Sequence, residues 1–454
     1  MSVMFERKIN NYFNAWKVKK GRKPLIIRGA RQVGKTSAVK EFAKNNFETF
    51  IYLNLERVED AEIFSEKMPI KNLIEIIQLK KNLKLVHGRT LLFIDEIQNS
   101  GIATSALRYF YEEYPELHIM AAGSLLEARM KKEGFSFPVG RVEFCYMFPV
   151  DFEEFLLALN EKAVIQHICS ADQLSDIPDV THNHFLGKYY EYLAVGGMPE
   201  AVAKYAETRS FIDINSIYDS IFTGYFDDAG KYSSEVKAGY IRHIIEHSPE
   251  NAGLAVKYEG FGGSAFRSRE MSEAFDLLEN AMVIRRINAS SSLQAPIIHN
   301  LKKSPKLVFL DTGLLNYRLN IRADLLKMPE LDSLFQGRIA EQAVGQALIS
   351  KYGNPVFRLA YWYRDKSGTS AEVDYLLQQD ATLIPVEVKS GKEGKLRSLH
   401  VFMEHSNCKL AFRIHSGKTY IQDITLPSGK KYKLVSLPFY LLHRIQDFIK
   451  LYET

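Results

Sequence analysis

Two glycines, a lysine and a hydroxyl stand in the order G-x-x-x-x-G-K-[ST] across Gly29, Ala30, Arg31, Gln32, Val33, Gly34, Lys35 and Thr36. Small residues in such a loop let backbone N–H groups wrap round a phosphate. The lysine then neutralises β and γ oxygens and the hydroxyl holds Mg²⁺, which together is the chemistry of ATP binding. Ser37 follows within the same nucleotide-binding set, and a helix starting near Thr36 adds the positive end of its dipole. About 60 residues further on, Thr90-Leu91-Leu92-Phe93-Ile94 ends in Asp95 and Glu96. A buried strand that delivers two carboxylates at its C-terminal tip puts them where ligands of open α/β sheets bind. There Asp95 is expected to hold hydrated Mg²⁺ and Glu96 to polarise an attacking water. Ser124, after His118-Ile119-Met120-Ala121-Ala122-Gly123, is either a group touching the γ-phosphate or the water, or a plain turn serine. Arg141 is either a cation serving the transition state, from this chain or a neighbour, or a surface arginine.

A second constellation lies near the C-terminus. Glu372-Val373-Asp374-Tyr375-Leu376-Leu377 is followed by Leu383-Ile384-Pro385-Val386-Glu387-Val388-Lys389. Side chains alternate along a strand, so Glu387 and Lys389 share a face. A hairpin across Gln378 to Ala381 would set Asp374 opposite them. Two carboxylates and a lysine converging meet the needs of metal-dependent phosphodiester cleavage. Asp374 and Glu387 would bind Mg²⁺ while Lys389 positions water or stabilises charge, and Glu341 on the preceding helix would be a further ligand.

Elements must position these groups. Pro24 to Arg28, Phe50 to Leu55, Thr90 to Ile94 and Leu117 to Ala122 read as strands, with Thr36 to Asn45 and Leu73 to Leu83 as helices. Strands alternating with helices imply a parallel sheet covered on both faces. From about Asp151 the periodicity turns helical, as in Phe152, Phe155, Leu156 and Leu159, and a helix near Ala274 to Leu278 leads into a β-rich stretch, Met282 to Ile287. Helices followed by a short hairpin are the makings of a winged-helix module. A helix from Phe335 to Lys351 then precedes strands at Ala360 to Arg364, Glu372 to Leu377 and Thr382 to Val388. The expected fold is α/β: a P-loop parallel-sheet ATPase domain over residues 1–150, a helical region with a winged-helix module over 151–330, and a C-terminal α/β domain over 331–454.

Composition narrows the classes. The 454 residues are 46% hydrophobic and 25% charged, enough for packed cores and too ordinary for wholesale disorder. Cys145, Cys169 and Cys408 are too few and too far apart for a disulfide framework or a cysteine-based zinc module, and fit a reducing cytoplasm. Glu6, Arg7 and Lys8 stand where a signal peptide needs apolar residues, and the longest apolar runs fall far short of a membrane span. The 59 Lys+Arg against 54 Asp+Glu leave +5, a surplus that permits nucleic-acid contact without requiring it. His243 and His247 lack the H-E-x-x-H order of a zinc site and read as core or surface histidines. Arg267, Arg269, Arg285 and Arg286 read as a solvated charged face in preference to a DNA-facing one.

Residues 20–160 resemble an AAA-type P-loop ATPase domain. Arg28 to Thr36, Phe93-Ile94-Asp95-Glu96-Ile97-Gln98 and Ala122-Gly123-Ser124 are similar to a prokaryotic family, AAA_14-like, in which the AAA domain precedes a DUF4143-type domain. Tyr192-Leu193-Ala194-Val195-Gly196-Gly197-Met198-Pro199-Glu200 and Phe309-Leu310-Asp311-Thr312-Gly313-Leu314 look like further signatures of it. Where AAA relatives often carry a sensor Asn, this chain has Ser124. Residues 335–430 resemble the PD-(D/E)xK nuclease superfamily, the restriction-endonuclease-like fold. Glu341, Asp374, Glu387 and Lys389 match its pattern, with Val373 at the proline position. The resemblance implies a cytoplasmic ATPase, with ATP and Mg²⁺ as cofactors, that controls a nuclease-like, DNA-directed C-terminal domain. The alternative is an ATP-dependent switch or scaffold whose C-terminal domain binds nucleic acid or protein without cleaving it. Candidate partners are DNA, a protein docking on the helical middle, and a second copy of the chain.

Overall fold

A strand buried on both faces must be apolar along its length, because successive side chains point to opposite sides. β1 (Leu25–Arg28), β2 (Thr49–Asn54), β3 (Thr90–Asp95), β4 (His118–Gly123) and β5 (Glu143–Tyr146) follow that rule most fully in β3 and β4, where every residue is buried. A computed structural model describes residues 5–123, 138, 140–170, 177–232, 234–327, 334–353, 359–366, 369–391 and 394–452. The five strands are parallel, in the order β2-β3-β4-β1-β5. Leu25, Ile27, Leu91, Phe93 and Met120 face one core with Val39 and Phe42 of the helix Lys35–Asn46. Ile26, Leu92, Ile94 and Ile119 face the other with Leu107 and Phe110 of the helix Gly101–Glu113. This is the doubly covered parallel sheet that the sequence implies.

Local chemistry accounts for the shifted boundaries. The helix expected over Leu73 to Leu83 runs from Ile70 to Lys81, because Pro69 opens it and Asn82 closes it at a left-handed φ of 51°. β5 escaped the sequence reading because it is a half-exposed edge strand with no alternation.

The helices Asp179–Val195, Pro199–Thr208, Asn215–Tyr232, Glu235–Asn251 and Ser268–Asn280 follow. They lead into β6 (Ile284–Ser290), which reaches past β7 (His299–Asn300) to pair antiparallel with β8 (Lys306–Phe309). The helix Leu334–Tyr352 precedes a meander of β9 (Leu359–Lys366), β10 (Thr369–Gln379) and β11 (Thr382–Val388). β12 (Leu410–His415) and β14 (Lys431–Pro438) extend β11 in parallel, with β13 (Tyr420–Thr425) antiparallel at the edge. β6 joins the same mixed sheet by pairing in parallel with β9, Ala289 against Tyr361. Among the described residues no helix is long and apolar enough to cross a membrane.

The junction of these regions is a contact between backbones. Gly196, at φ 73°, lies so close to Gly313 that a Cβ on it would come 2.6 Å from the Gly313 Cα. The same position has no room for any larger residue, since the obstacle is main chain and cannot rotate away. Asp311 seals the contact: its Oδ2 accepts the Gly197 N–H at 2.6 Å and its Oδ1 accepts the Leu314 N–H at 3.0 Å, capping the helix Thr312–Arg318. From the other side, the helix Leu334–Tyr352 is bolted on by two glutamines one turn apart. Gln342 exchanges both hydrogen bonds with the Phe309 backbone (2.8 and 2.7 Å), and Gln346 accepts the Thr312 N–H at 2.8 Å.

Burial raises the Asp311 carboxyl to about 6, against the pull of the N–H groups of Gly197, Leu314, Gln346 and Gly313. The unfolded chain therefore loses this proton first as pH rises, and stability falls from the ordinary aspartate value up to about pH 6. Asp311→Asn removes that loss. Its destabilisation relative to the parent should be largest at pH 4 and smaller by ~2–3 kcal/mol at pH 7. Thermal melts of both proteins across that range measure it, and a difference that does not change with pH would refute the assignment.

Candidate functional site

The phosphate loop joins β1 to the helix Lys35–Asn46, and its turn uses backbone that few residues tolerate. Gln32 has φ 66° and Gly34 φ 90°. A Cβ on Gly29 would run into the Met147 carbonyl. Gly34, as the cap residue, has no side chain to satisfy the first N–H groups of the helix, and no acid lies in its first turn. Those donors and the dipole are left to an anion. Ser37 is exposed on the same first turn.

Lys35 is 8% exposed and its ammonium folds back onto the loop, donating to the Gly29 and Ala30 carbonyls at 2.9 and 2.8 Å. Burial lowers its pKa to about 8, with Glu96 and Asp95 opposing the shift. The acids arrive from β3, separated from β1 by β4. The Thr36 hydroxyl donates to Asp95 Oδ2 at 2.7 Å, and the Tyr52 hydroxyl donates to the same oxygen at 3.1 Å. Glu96 turns away from the strand at φ 52°, and the Gln98 amide donates to its carboxylate. Burial, together with repulsion from Asp95, raises the Glu96 pKa, and the Gln98 bond works against that rise.

The rest of the loop is tied to other regions. Arg31 forms an ion pair with Asp228 of the helix Asn215–Tyr232, and the Tyr225 hydroxyl donates to the Arg31 carbonyl at 3.1 Å. The Val33 carbonyl accepts from Arg7, which also reaches Glu154 at 3.0 Å. Pro199 lies against Gly34, 3.4 Å from where a Cβ would be. Ser124 lies outside the described residues. Arg141 is on the surface, its Nε bonded to Glu112 at 2.8 Å.

In the C-terminal region β10 and β11 form the expected hairpin, Gln379 opposite Thr382. The pairing of β10 with β9 slips between Val373 and Leu376, a bulge that brackets Asp374. Val373 and Leu376 consequently share one core while Tyr375 and Leu377 share the other, so the alternation inverts at Asp374. Lys389 and Glu387 lie on one face as expected, Nζ to Oε1 2.6 Å. Asp374 accepts the Val388 N–H at 2.8 Å.

The group that sequence reasoning missed is Lys306. Its Nζ lies 3.0 Å from Glu341, 2.7 Å from Glu372 and 3.3 Å from Asp374, over the Tyr361 ring. Burial opposes its charge, yet the three carboxylates hold its pKa well above the ordinary value. Burial and then Asp374 raise Glu341 and Glu387 to about 7 each, Lys306 and Lys389 opposing. A single lysine opening a four-residue apolar strand, Lys306-Leu307-Val308-Phe309, was the signal available. Among the described residues no group of three or more His, Cys, Asp and Glu side chains is placed to hold a metal ion. Glu341 and Asp374 enclose an ammonium instead, so as folded they do not fit a divalent cation.

Arg285, Arg286, His243 and His247 have partners within the fold, while Arg267 and Arg269 are exposed. Arg286 pairs with Glu279 and Asp276 at 2.6 Å each, and Arg285 with Glu279 at 3.5 Å. His243 bonds the Phe261 carbonyl at 2.8 Å and His247 pairs with Glu250 at 3.3 Å.

Residues 21–156 match the AAA domain model, so this region is an AAA-type ATPase domain. Residues 186–325 match a domain of unknown function, DUF8612, and residues 336–440 match another, DUF4143. No curated protein sequence matches the chain. Among solved structures it is similar to the Aeropyrum pernix ORC2 protein in ADPNP–ADP complexes, at 12% identity over 71% of this chain and 96% of that one, TM-score 0.35. It is similar also to the Thermotoga maritima RuvB Holliday junction branch migration motor, at 15% identity over 66% and 93%, TM-score 0.30. The Aeropyrum pernix ORC1 protein in complex with DNA matches at 12% identity over 70% and 94%, TM-score 0.29.

Lys35→Ala takes away the loop's buried ammonium. ATP affinity should fall roughly ten- to a hundredfold, ~1.5–3 kcal/mol for a charge-assisted contact. Titration with a fluorescent ATP analogue measures this, and equal affinity in the variant would sink the assignment.

Proposed function

We propose that the chain binds and hydrolyses ATP at the loop Gly29 to Ser37 and uses the cycle to control its C-terminal, DNA-directed domain. The observation that carries this reading is the bond from Thr36 Oγ1 to Asp95 Oδ2, 2.7 Å long, which brings loop and acidic strand together across β4. A hydroxyl and a carboxylate side by side are the donor set of a Mg²⁺ that keeps most of its water, and Tyr52 orients the carboxylate. Mg²⁺ held by Thr36 and Asp95 would supply charge neutralisation on the phosphates.

The chain's own groups do the remainder. The N–H groups of the loop and helix start grip the phosphates, and Lys35 exchanges its two carbonyl acceptors for phosphate oxygens. Glu96, half-buried and biased toward higher pKa, orients and deprotonates the attacking water. Ser124, which follows β4 in sequence, is the proposed polar group for the γ-phosphate or the lytic water. Arg141, on the surface beside Glu112, serves the site of a neighbouring copy, which makes the working form a homo-oligomer. Cys145, Cys169 and Cys408 are free thiols, in keeping with a cytoplasmic protein.

The C-terminal domain is read as nuclease-like. Its support is the helix, three-stranded meander, helix and parallel-strand order, with Glu341, Asp374, Glu387 and Lys389 gathered at the bulge. The second reading, a domain that binds DNA without cutting it, is favoured by Lys306 among the carboxylates. Nicking of supercoiled plasmid in Mg²⁺, by the parent with ATP or by Lys306→Met, separates the two; DNA binding without nicking by either selects the second.

Glu96→Gln keeps the size and loses the charge that orients water. Turnover should fall ~10²-fold or more while ATP binding persists. An unchanged phosphate-release rate would make Glu96 structural only. Specific activity that rises with protein concentration in the parent but not in Arg141→Ala is the expected sign of action across subunits.

A further inference from the structure

We propose that Lys306 is an internal counter-ion that occupies the place of a metal ion in the C-terminal carboxylate cluster and closes that cluster to divalent cations. The inference rests on the nuclease-like reading of the domain and adds its control.

A lysine is almost never as buried as this one, at 5% exposure, unless its charge is needed where it lies. The other residues of β8, Leu307, Val308 and Phe309, are apolar and buried, so an aliphatic side chain would suit the strand's core role. What the ammonium does instead is bridge two elements: Glu341 from the helix Leu334–Tyr352, and Glu372 and Asp374 from β10. These include two of the residues that a metal would require.

The cluster also carries unmet negative charge. Among the described residues, the cations paired with Glu341, Glu372, Asp374 and Glu387 are the two ammonium groups of Lys306 and Lys389. Glu387 is 5% exposed and, among the described residues, its Oε2 has no hydrogen-bond partner. A buried carboxylate oxygen without a donor is costly, and a doubly charged ion in place of a singly charged one would relieve it. Ammonium and metal cannot share the site, so the one excludes the other. β8 runs on within two residues to Asp311, which holds the Gly196–Gly197 turn, and Pro199 just beyond it lies against Gly34 of the phosphate loop. The strand that carries Lys306 is thereby tied to the nucleotide site.

The test is Mn²⁺ binding to the full chain without nucleotide, in an Asp95→Asn background that removes the carboxylate of the other metal site. It is followed by the electron paramagnetic resonance signal of free Mn²⁺. The background protein should take up no Mn²⁺, and Lys306→Met should take up one ion, lost again with Asp374→Asn added. Lys306→Gln, which keeps a donor toward the carboxylates, is the second variant should the methionine protein not fold, and Lys306→Arg should stay closed. Mn²⁺ bound by the background protein through Asp374 would overturn the proposal, as would neutral variants that fold and bind none. Uptake by Lys306→Met with no nicking of supercoiled DNA would leave the closure standing and remove the nuclease reading.

Discussion

The architecture depends on two stretches of backbone pressed together with no side chain between them. Gly196 and Gly313 meet within van der Waals range of main chain, and Asp311, fully buried, takes the N–H groups that the close approach would otherwise orphan. Among the described residues no cation lies beside this carboxylate, and its water is replaced by backbone N–H donors and the Gln346 amide. Everything in reach of this knot is held at a definite distance from the phosphate loop. Pro199 follows the Gly196–Gly197 turn onto Gly34, β8 precedes Asp311, and Gln342 and Gln346 pin the helix that bears Glu341.

Both chemical sites share one electrostatic habit. Lys35 and Lys306 are buried ammonium groups whose acceptors come from the chain itself, carbonyls in the first case and carboxylates in the second. A buried charge must be paired, so each lysine can change partners only if something of suitable charge replaces what it leaves. At the loop, phosphate oxygens would be the replacement for the Gly29 and Ala30 carbonyls. At the cluster, the carboxylates lose their cation unless another arrives. Arg31 adds a third tie, since its ion pair with Asp228 puts the helix Asn215–Tyr232 in direct contact with the loop that nucleotide would occupy. These ties join the loop to the middle region and, through Asp311, to the C-terminal sheet.

Much of this was readable in the chain. The loop from Gly29 to Thr36 and the strand ending at Asp95 and Glu96 are local patterns, in which a turn, a dipole and an apolar run lie within a few residues of the chemistry they serve. The hairpin from Glu372 to Val388 is likewise local, and its alternation put Glu387 and Lys389 on one face before any pairing was known. Strands were legible at β1 to β4 and from β9 to β11, but not at β5, where a half-exposed edge leaves no period to read, nor at β8, β12 and β14, which are buried runs without alternation.

What only the tertiary structure decided are the meetings of residues far apart in sequence. Lys306 joins Glu341, Glu372 and Asp374 because β6 carries β8 alongside the C-terminal sheet, and no spacing in the chain encodes that pairing. The two glycine-bearing motifs were visible singly, but that they press on each other through Gly196 and Gly313 was not. The partner of Arg141 in the fold, Glu112, was likewise not written in its local sequence. The physical reason is common to all three. Periodicity and turn chemistry are set by neighbours along the chain, whereas the partner of a charge or the room beside a Cα is set by whatever the rest of the fold brings there.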